Sequence, residues 1–174
     1  MKVLVTGTSG RIGRAIRIAL DSAHRVVGLD RAPASSTDIL AALHDVDRLA
    51  KALQGVEAVV HCAAVHAPHV GLLPDADFEA INVAGTQALA RLAQAAGVRH
   101  FVFTSTTALY GSAATPAGRA GWIDEDTEPE PRTIYHRTKL AAERWLEVLA
   151  RDGGMQVTAV RMSRCFPEPA PLMA

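Results

Sequence analysis

Hydrophobic positions along this chain follow two alternating periods. Short, near-continuous apolar runs predict buried strands at residues 2–6, 25–29, 57–61, 100–105 and 156–161. Between these runs, apolar residues recur at intervals of three and four, which predicts helices over residues 12–23, 46–53, 78–96 and 135–151. Residues 38–43 fit either element, and their position between two strand–helix units favours a short strand.

The alternation of strand and helix predicts an α/β fold with a doubly wound parallel sheet and helices on both faces. Strands that are buried on both faces read as continuous apolar runs, as these do. Two segments interrupt the alternation: residues 112–133, which are acidic and contain prolines, and the proline-rich residues 167–174. We interpret the acidic run as a solvated loop, although loops longer than about 15 residues are often functional.

Composition excludes several function classes. The chain has 174 residues with 18 Lys plus Arg and 18 Asp plus Glu, so its formal net charge is zero. A neutral chain has no bulk electrostatic reason to bind nucleic acid or a membrane surface. The apolar run at the N-terminus is too short for a signal peptide, and no run reaches the ~18 residues of a membrane span. These features predict a cytoplasmic protein.

A glycine-rich turn joins the first strand to the first helix, with Gly7, Gly10 and Gly13 spaced Gly-x-x-Gly-x-x-Gly. Glycine is needed where a chain turns sharply and where backbone approaches a pyrophosphate, and a helix N-terminus attracts phosphate. The same spacing also occurs in ordinary strand–helix turns. Asp30 ends the second strand, where a carboxylate accepts hydrogen bonds from ribose hydroxyls and repels a 2′-phosphate. This predicts NAD, with NADP less favoured, although Arg31 offers a phosphate partner.

Tyr135 and Lys139 lie four residues apart in a predicted helix, so both face the same side. A free tyrosine has a pKa of about 10 and is a poor base at neutral pH, and a nearby ammonium lowers that pKa. Such a tyrosine can exchange a hydroxyl proton while hydride moves to or from a nicotinamide. Solvated pairs on amphipathic helices show the same spacing.

Taken in order, these motifs resemble the short-chain dehydrogenase/reductase superfamily, and more closely its extended branch, the NAD-dependent epimerase/dehydratase family. Four further segments extend the resemblance over essentially the whole chain: His44-Asp45-Val46, Val59-Val60-His61-Cys62-Ala63-Ala64, Asn82-Val83-Ala84-Gly85-Thr86 and residues 103–111. The resemblance implies a Rossmann-type sheet, with residues 1–166 as an NAD(P)-binding domain. It also implies that residues 167–174 lead toward a C-terminal substrate-binding lobe that is largely absent here.

The resemblance implies roles for individual residues. Tyr135 corresponds to the catalytic acid/base, Lys139 lowers its pKa and holds the nicotinamide ribose, and Thr106 orients the substrate oxygen, with Ser105 as the alternative. The residues expected around the cofactor are Gly7, Gly10, Arg11, Ile12, Gly13, Asp30, Asp45, Val46, Cys62, Ala63, Ala64, Asn82, Tyr135 and Lys139.

Histidine and cysteine residues receive simpler interpretations. His66 and His69 lie in the loop after the third apolar run, but no third ligand stands at a suitable spacing, so no metal is expected and a position near the substrate mouth is favoured. Cys62 is expected to pack beside the cofactor as a small apolar residue, and Cys165 to be structural. The sequence contains no Gly-x-Ser-x-Gly motif, so it gives no support to hydrolase chemistry.

The implied activity is that of an NAD-dependent oxidoreductase or epimerase acting on a sugar, sugar acid or nucleotide sugar. Thr107 and Ala108 stand where the family's dehydratases carry an Asp-Glu pair, which disfavours dehydratase chemistry. A Cys-x-Pro-Glu-Pro ending at residues 165–169 is similar to that of hexuronate dehydrogenases. Helices 78–96 and 135–151 pair across the two-fold axis of family dimers, which implies a homodimer. The alternatives are a truncated or non-catalytic dinucleotide-binding module and a protein–protein scaffold.

Overall fold

Within residues 1–115, 121–124 and 126–163, which the computed structural model describes, six parallel strands form one sheet in the order β3-β2-β1-β4-β5-β6. The strands are β1 Lys2–Thr6, β2 Arg25–Asp30, β3 Ile39–Leu40, β4 Ala58–His61, β5 His100–Thr106 and β6 Gln156–Met162. The predicted doubly wound α/β fold is confirmed. Residues 38–43 contain the short strand that their position favoured.

Helices cover both faces of this sheet. They are α1 Arg11–Asp21, α2 Val46–Ala52, α3 Asp75–Phe78, α4 Thr86–Ala95 and α5 Ile134–Arg151, with a π-helical segment at Glu79–Gly85 and 3-10 turns at Ala67–His69 and Thr107–Tyr110. No helix in the described part of the chain is long and apolar enough to cross a membrane.

The two faces carry cores of different size. The larger core lies under α2, α4 and α5, where Leu49, Leu89 and Leu146 pack with Phe101 and Phe103 of β5. On the other face, α1 places Ile16 and Leu20 against a smaller group of valines from β1 and β2. Burial of apolar side chains on both sides explains why the strands read as continuous hydrophobic runs.

The long amphipathic helix predicted over residues 78–96 is present as a composite of three helical segments. The helical backbone begins at Asp75, where the carboxylates of Asp75 and Asp77 lie in the first turn and favour the positive end of the helix. It then widens to π-helical winding over Glu79–Gly85 before α4 begins. The π segment contains Asn82, whose buried amide bonds to Val65 and Thr138. These tertiary bonds, which sequence periodicity does not record, accompany the change of winding.

The carboxyl ends of the parallel strands meet at one edge of the sheet, where loops after β1, β4 and β5 come together. The described parts of residues 112–133 contain neither helix nor strand, as predicted. Residues 116–120, 125 and 164–174 lie outside the described residues. The predictions for Cys165, the Cys-x-Pro-Glu-Pro ending and the proline-rich tail fall on that excluded part.

Candidate active site

The glycine turn after β1 brings backbone close to backbone. Gly7 has a φ of 75°, and a Cβ there would lie 2.7 Å from the backbone nitrogen of Ala63. A Cβ on Gly13 would lie 2.2 Å from the carbonyl oxygen of Gly7. Gly10 differs, because the nearest atom to a Cβ there is the same carbonyl at 3.2 Å. Packing therefore requires glycine at positions 7 and 13, whereas a Cβ at position 10 would make a tight but less severe contact.

The N-terminus of α1 offers free donors at this turn. Gly10 is the N-cap of α1 and has no side chain to occupy the first N–H groups of the helix. Unpaired N–H groups and the positive end of the helix dipole form a binding site for an anion such as a pyrophosphate. The turn therefore fits the phosphate groups of a dinucleotide.

Asp30 lies at the carboxyl end of β2 with its side chain fixed by backbone. Its Oδ2 accepts a hydrogen bond from Ser9 N at 2.9 Å, and its Oδ1 accepts one from Ala32 N at 3.0 Å. A carboxylate has about four acceptor sites, so two remain for ribose hydroxyls. Arg31 lines the same pocket and presents the competing positive charge.

One pocket of about 780 Å³ joins the turn to the predicted catalytic residues. The predicted residues that line it are Gly7, Gly10, Arg11, Ile12, Gly13, Asp30, Cys62, Ala63, Ala64, Thr106, Tyr135 and Lys139. Ser105, the alternative to Thr106, lines it as well. Predicted residues from five separate parts of the chain thus converge on one cavity of ligand size.

Asp45, Val46 and Asn82 do not line this pocket. Asp45 caps α2, where its Oδ1 accepts a hydrogen bond from Arg48 N at 3.2 Å and its carboxylate pairs with the Arg48 guanidinium at 3.2 Å. Val46 is half exposed on the first turn of that helix. Next to Asp45 and Val46, the pocket wall is instead formed by Leu43 and His44, which directly precede them in the chain.

Several lining residues were not predicted from sequence. They are Ser9, Leu29, Ala41, Ala42, Leu43, His44, Val65, Ala80, Ile81, Thr104, Met162 and Ser163. Arg31, the predicted phosphate partner, and His66 and His69, predicted near the substrate mouth, line the pocket as well. About half of the unpredicted residues directly precede or follow a predicted residue in the chain. The one available signal was that adjacency, because all loops after parallel strands open onto the same edge of the sheet.

Thr106 and Tyr135 form the polar end of the pocket. Thr106 ends β5, and its Oγ1 accepts a hydrogen bond from Ala108 N at 3.1 Å, which caps the following 3-10 turn. Burial raises the pKa of Tyr135, and hydrogen bonding with Thr106 acts in the opposite direction. The pKa of Tyr135 is thus raised, which is opposite to the lowering by Lys139 that the spacing predicted.

Lys139 is almost completely buried, with 3% of its surface exposed. Its Nζ lies 3.9 Å from the centroid of the Phe103 ring, over the aromatic face. Burial lowers the pKa of Lys139 to about 7, although Cys62 and Glu143 favour the charged form. The ammonium is therefore poised to lose its proton near neutral pH, which makes it a functional-site candidate.

The Ser105 hydroxyl is buried without a hydrogen-bond partner in the described residues. Ser105 is 3% exposed and lines the pocket. An unsatisfied buried hydroxyl costs roughly 1–3 kcal/mol. Together with the free donors of the glycine turn, this hydroxyl fits a pocket that takes a polar ligand such as a dinucleotide.

The histidine and cysteine residues of the pocket bear on metal and nucleophile chemistry. His66 and His69 stack edge to face with centroids 4.9 Å apart, and no group of three metal ligands occurs in the described ranges. The Cys62 sulfur lies 3.2 Å from Thr104 Oγ1, and burial raises the pKa of the Cys62 thiol. A thiol with a raised pKa is a poor nucleophile.

Comparison with known proteins gives consistent results. A family model described as "NAD dependent epimerase/dehydratase family" matches residues 3–169. A 3 beta-hydroxysteroid dehydrogenase/Delta 5-->4-isomerase of Mycobacterium tuberculosis is 33% identical, over 93% of this chain and 46% of that protein. A short-chain dehydrogenase/reductase superfamily protein from Agrobacterium tumefaciens, solved with bound NAD, has a TM-score of 0.80 at 33% identity and covers 92% of this chain and 48% of its own.

A third relative is a nucleotide-sugar enzyme. The UDP-glucose 4-epimerase of Thermus thermophilus, solved as a complex with NAD, has a TM-score of 0.81 at 27% identity. The match covers 92% of this chain and 54% of the epimerase. The chain thus spans about half the length of the relatives it matches.

Proposed function

Because this chain belongs to the NAD-dependent epimerase/dehydratase family, we propose that it binds NAD and serves in hydride transfer on a sugar-type hydroxyl or ketone. The observation that carries the proposal is a single pocket in which the glycine turn, Asp30, Thr106, Tyr135 and Lys139 meet. This combination provides both an anion site and a proton donor within one cavity. Solved relatives with NAD bound support the choice of cofactor.

The residues of the turn and of β2 would hold the dinucleotide. The N–H groups at the start of α1 suit the pyrophosphate, and Gly10 leaves space for its approach. The free acceptor sites of Asp30 suit the two ribose hydroxyls, and its negative charge disfavours the 2′-phosphate of NADP.

NAD, when bound, supplies the acceptor or donor of the hydride. Tyr135 moves the proton at its phenolic oxygen, and its raised pKa keeps that oxygen protonated at neutral pH. Thr106 donates a hydrogen bond to the substrate oxygen as negative charge develops there. Lys139 provides an ammonium in a low-dielectric site, where its effect on nearby charge is larger than in water.

We propose a sugar, sugar acid or nucleotide sugar as the substrate class, supported by the similarity to UDP-glucose 4-epimerase. Thr107 and Ala108 follow Thr106 and contribute no acid or base for water elimination. Epimerase, dehydrogenase or reductase chemistry is therefore preferred to dehydratase chemistry. We further propose that the protein is cytoplasmic and forms a homodimer through α4 and α5.

A second candidate function is a dinucleotide-binding module that performs no catalysis by itself. It requires only the glycine turn and Asp30, which line the pocket. Both candidates require NAD binding, and only the first requires turnover. The scaffold alternative requires neither.

The test combines calorimetry with turnover. We expect NAD to bind more tightly than NADP, and turnover with at least one member of a panel of hexoses, uronates and UDP-sugars. Tyr135→Phe should keep NAD affinity and lose turnover by about 1,000-fold, because the proton donor is removed. Tyr110→Phe is the matched control, since Tyr110 hydrogen-bonds Arg161 and does not line the pocket. NAD binding without turnover supports the second candidate, and absence of NAD binding eliminates both.

A further inference from the structure

A network of buried hydrogen bonds lies outside the pocket lining and extends from the end of β1 to the backbone of α5; it passes through Asn82, whose backbone carbonyl bonds Thr86 and whose side-chain amide bonds Thr138. Its side chains belong to Thr6, His61, Thr86, Asn82 and Thr138, none of which is more than 3% exposed. None of the five lines the pocket. This hydrogen-bond network therefore contacts the segments that carry the pocket residues at two places, the end of β1 and α5.

The hydrogen positions in the first half of the hydrogen-bond network follow from chemistry. Thr86 Oγ1 lies 2.7 Å from the carbonyl oxygen of Asn82, and only the hydroxyl can supply a hydrogen to that contact. Thr86 Oγ1 must then accept the bond that joins it to His61 Nε2 at 2.9 Å. His61 consequently carries its hydrogen on Nε2.

The imidazole of His61 is neutral. It is completely buried, and burial lowers the pKa of His61 to about 3, with the positive charge of Lys139 acting in the same direction. In the neutral Nε2–H form, Nδ1 is an acceptor, so Thr6 Oγ1 donates to it at 2.7 Å. Thr6 Oγ1 in turn accepts a bond from Ala63 N at 3.3 Å.

The second half of the hydrogen-bond network reaches α5, the helix that carries Tyr135 and Lys139. Asn82 clamps Val65, accepting from its N–H and donating to its carbonyl, both at 2.8 Å. Asn82 Nδ2 also donates to Thr138 Oγ1 at 3.1 Å. The Thr138 hydroxyl donates to a carbonyl one turn earlier in α5, Ile134 O at 3.0 Å or Tyr135 O at 3.1 Å.

We propose that His61 is a positioning residue that fixes the glycine turn relative to the Tyr135–Lys139 helix. One end of its hydrogen-bond network is Thr6, directly before Gly7, and the other is Thr138, directly before Lys139. Only the neutral Nε2–H imidazole accepts from Thr6 while donating to Thr86, so this one tautomer holds both halves together. The functional part of the proposal rests on the proposed function.

The tautomer is tested without any cofactor. In 15N NMR of histidine-labelled protein, the His61 resonances, assigned by their loss in His61→Gln, should show a protonated Nε2 and an unprotonated Nδ1. They should not titrate between pH 5 and 9. A protonated Nδ1, or an imidazolium in that range, overturns the proposal.

The positioning role is tested by the two threonines that flank the ring. Thr6→Val disconnects the glycine-turn side and should raise the Kd for NAD about ten-fold with a smaller change in kcat. Thr86→Val disconnects the Asn82 side and should lower kcat about ten-fold with a smaller change in Kd. Thr86→Ser, which keeps the hydroxyl, should restore kcat. Thr158→Val, on the exposed part of β6 and outside the pocket, is the control.

Loss of stability alone does not make one variant change mainly Kd and the other change mainly kcat. The positioning role is overturned if both valine variants change the two quantities in equal proportion, or if Thr86→Ser behaves like Thr86→Val. Failure of the proposed function gives a different result: the wild type shows no turnover, while the NMR signature of His61 is unchanged.

Discussion

Lys139 holds a buried charge next to an aromatic ring, and this has a consequence for stability. Burial lowers its pKa from 10.5 to about 7, so the unfolded chain binds more protons than the folded protein between those values. The free energy of unfolding therefore rises with pH across this window and loses that gain as pH falls toward 7.

We predict that the stability of the wild type relative to Lys139→Met increases between pH 7 and 9, by up to about 1.4 kcal/mol per pH unit. Burial raises the pKa values of Tyr135 and Cys62 and so keeps both neutral over most of this range. Urea unfolding of both proteins at matched pH values measures the difference. A constant difference from pH 6 to 9 would show that Lys139 titrates normally in the folded protein.

The partners of individual polar residues set the limit of what sequence could predict. Asp30 lines the pocket, and its position at a strand end is a local property that the sequence records. Asp45 was predicted beside the cofactor, but Leu43 and His44, which precede it, line the pocket, and Asp45 caps α2. This capping depends on side-chain geometry, which the sequence pattern does not record. Asn82 and His61 bond to groups 17 to 56 positions away, and no spacing rule records such pairs.

Among the elements, the glycine turn was predictable and the π segment was not. Three glycines between an apolar run and a helical period are a local pattern, and the turn they form has the positive φ at Gly7 that glycine permits. The widening at Glu79–Gly85 leaves the hydrophobic spacing almost unchanged. It is associated with the buried amide of Asn82, as π-helical turns often are with functional sites.

The glycine turn gives a prediction that separates packing from binding. A methyl group on Gly13 would meet the Gly7 carbonyl at 2.2 Å, so Gly13→Ala should lose about 1–3 kcal/mol of stability. Gly10→Ala places its methyl group in a tight but longer contact, 3.2 Å from the same carbonyl oxygen, at a φ of −79° that alanine adopts, so it should lose less stability than Gly13→Ala.

The same Gly10→Ala variant should raise the Kd for NAD at least about ten-fold, because its methyl group enters the pocket where the pyrophosphate approaches. Thermal unfolding measures the stability of both variants, and calorimetry measures their Kd for NAD. Equal NAD affinity of Gly10→Ala and wild type would place the phosphates elsewhere.

At the scale of the molecule, α4 and α5 present a shared outer surface that the sheet does not cover. Val148 is 56% exposed there, and the Arg91 guanidinium stacks 5.2 Å from the centroid of the half-buried Trp145 ring. An exposed branched side chain beside an aromatic residue and an arginine has the composition that protein interfaces favour. This surface supports the proposed homodimer.

We predict that Val148→Glu weakens the dimer about a hundred-fold, because a carboxylate would be buried without a partner against its own copy in a two-fold interface. Ile18→Glu is the matched control, since Ile18 is 67% exposed on α1 at the opposite face of the sheet. Light scattering after size-exclusion chromatography should show a dimer for the wild type and the control, and a monomer for Val148→Glu at micromolar concentration. A wild-type monomer would contradict the proposed homodimer, and a dimer sensitive to Ile18→Glu would place the interface away from α4 and α5.

Because the interface would cover α5, the helix of Tyr135 and Lys139, dimer loss should also lower the melting temperature in a concentration-dependent way.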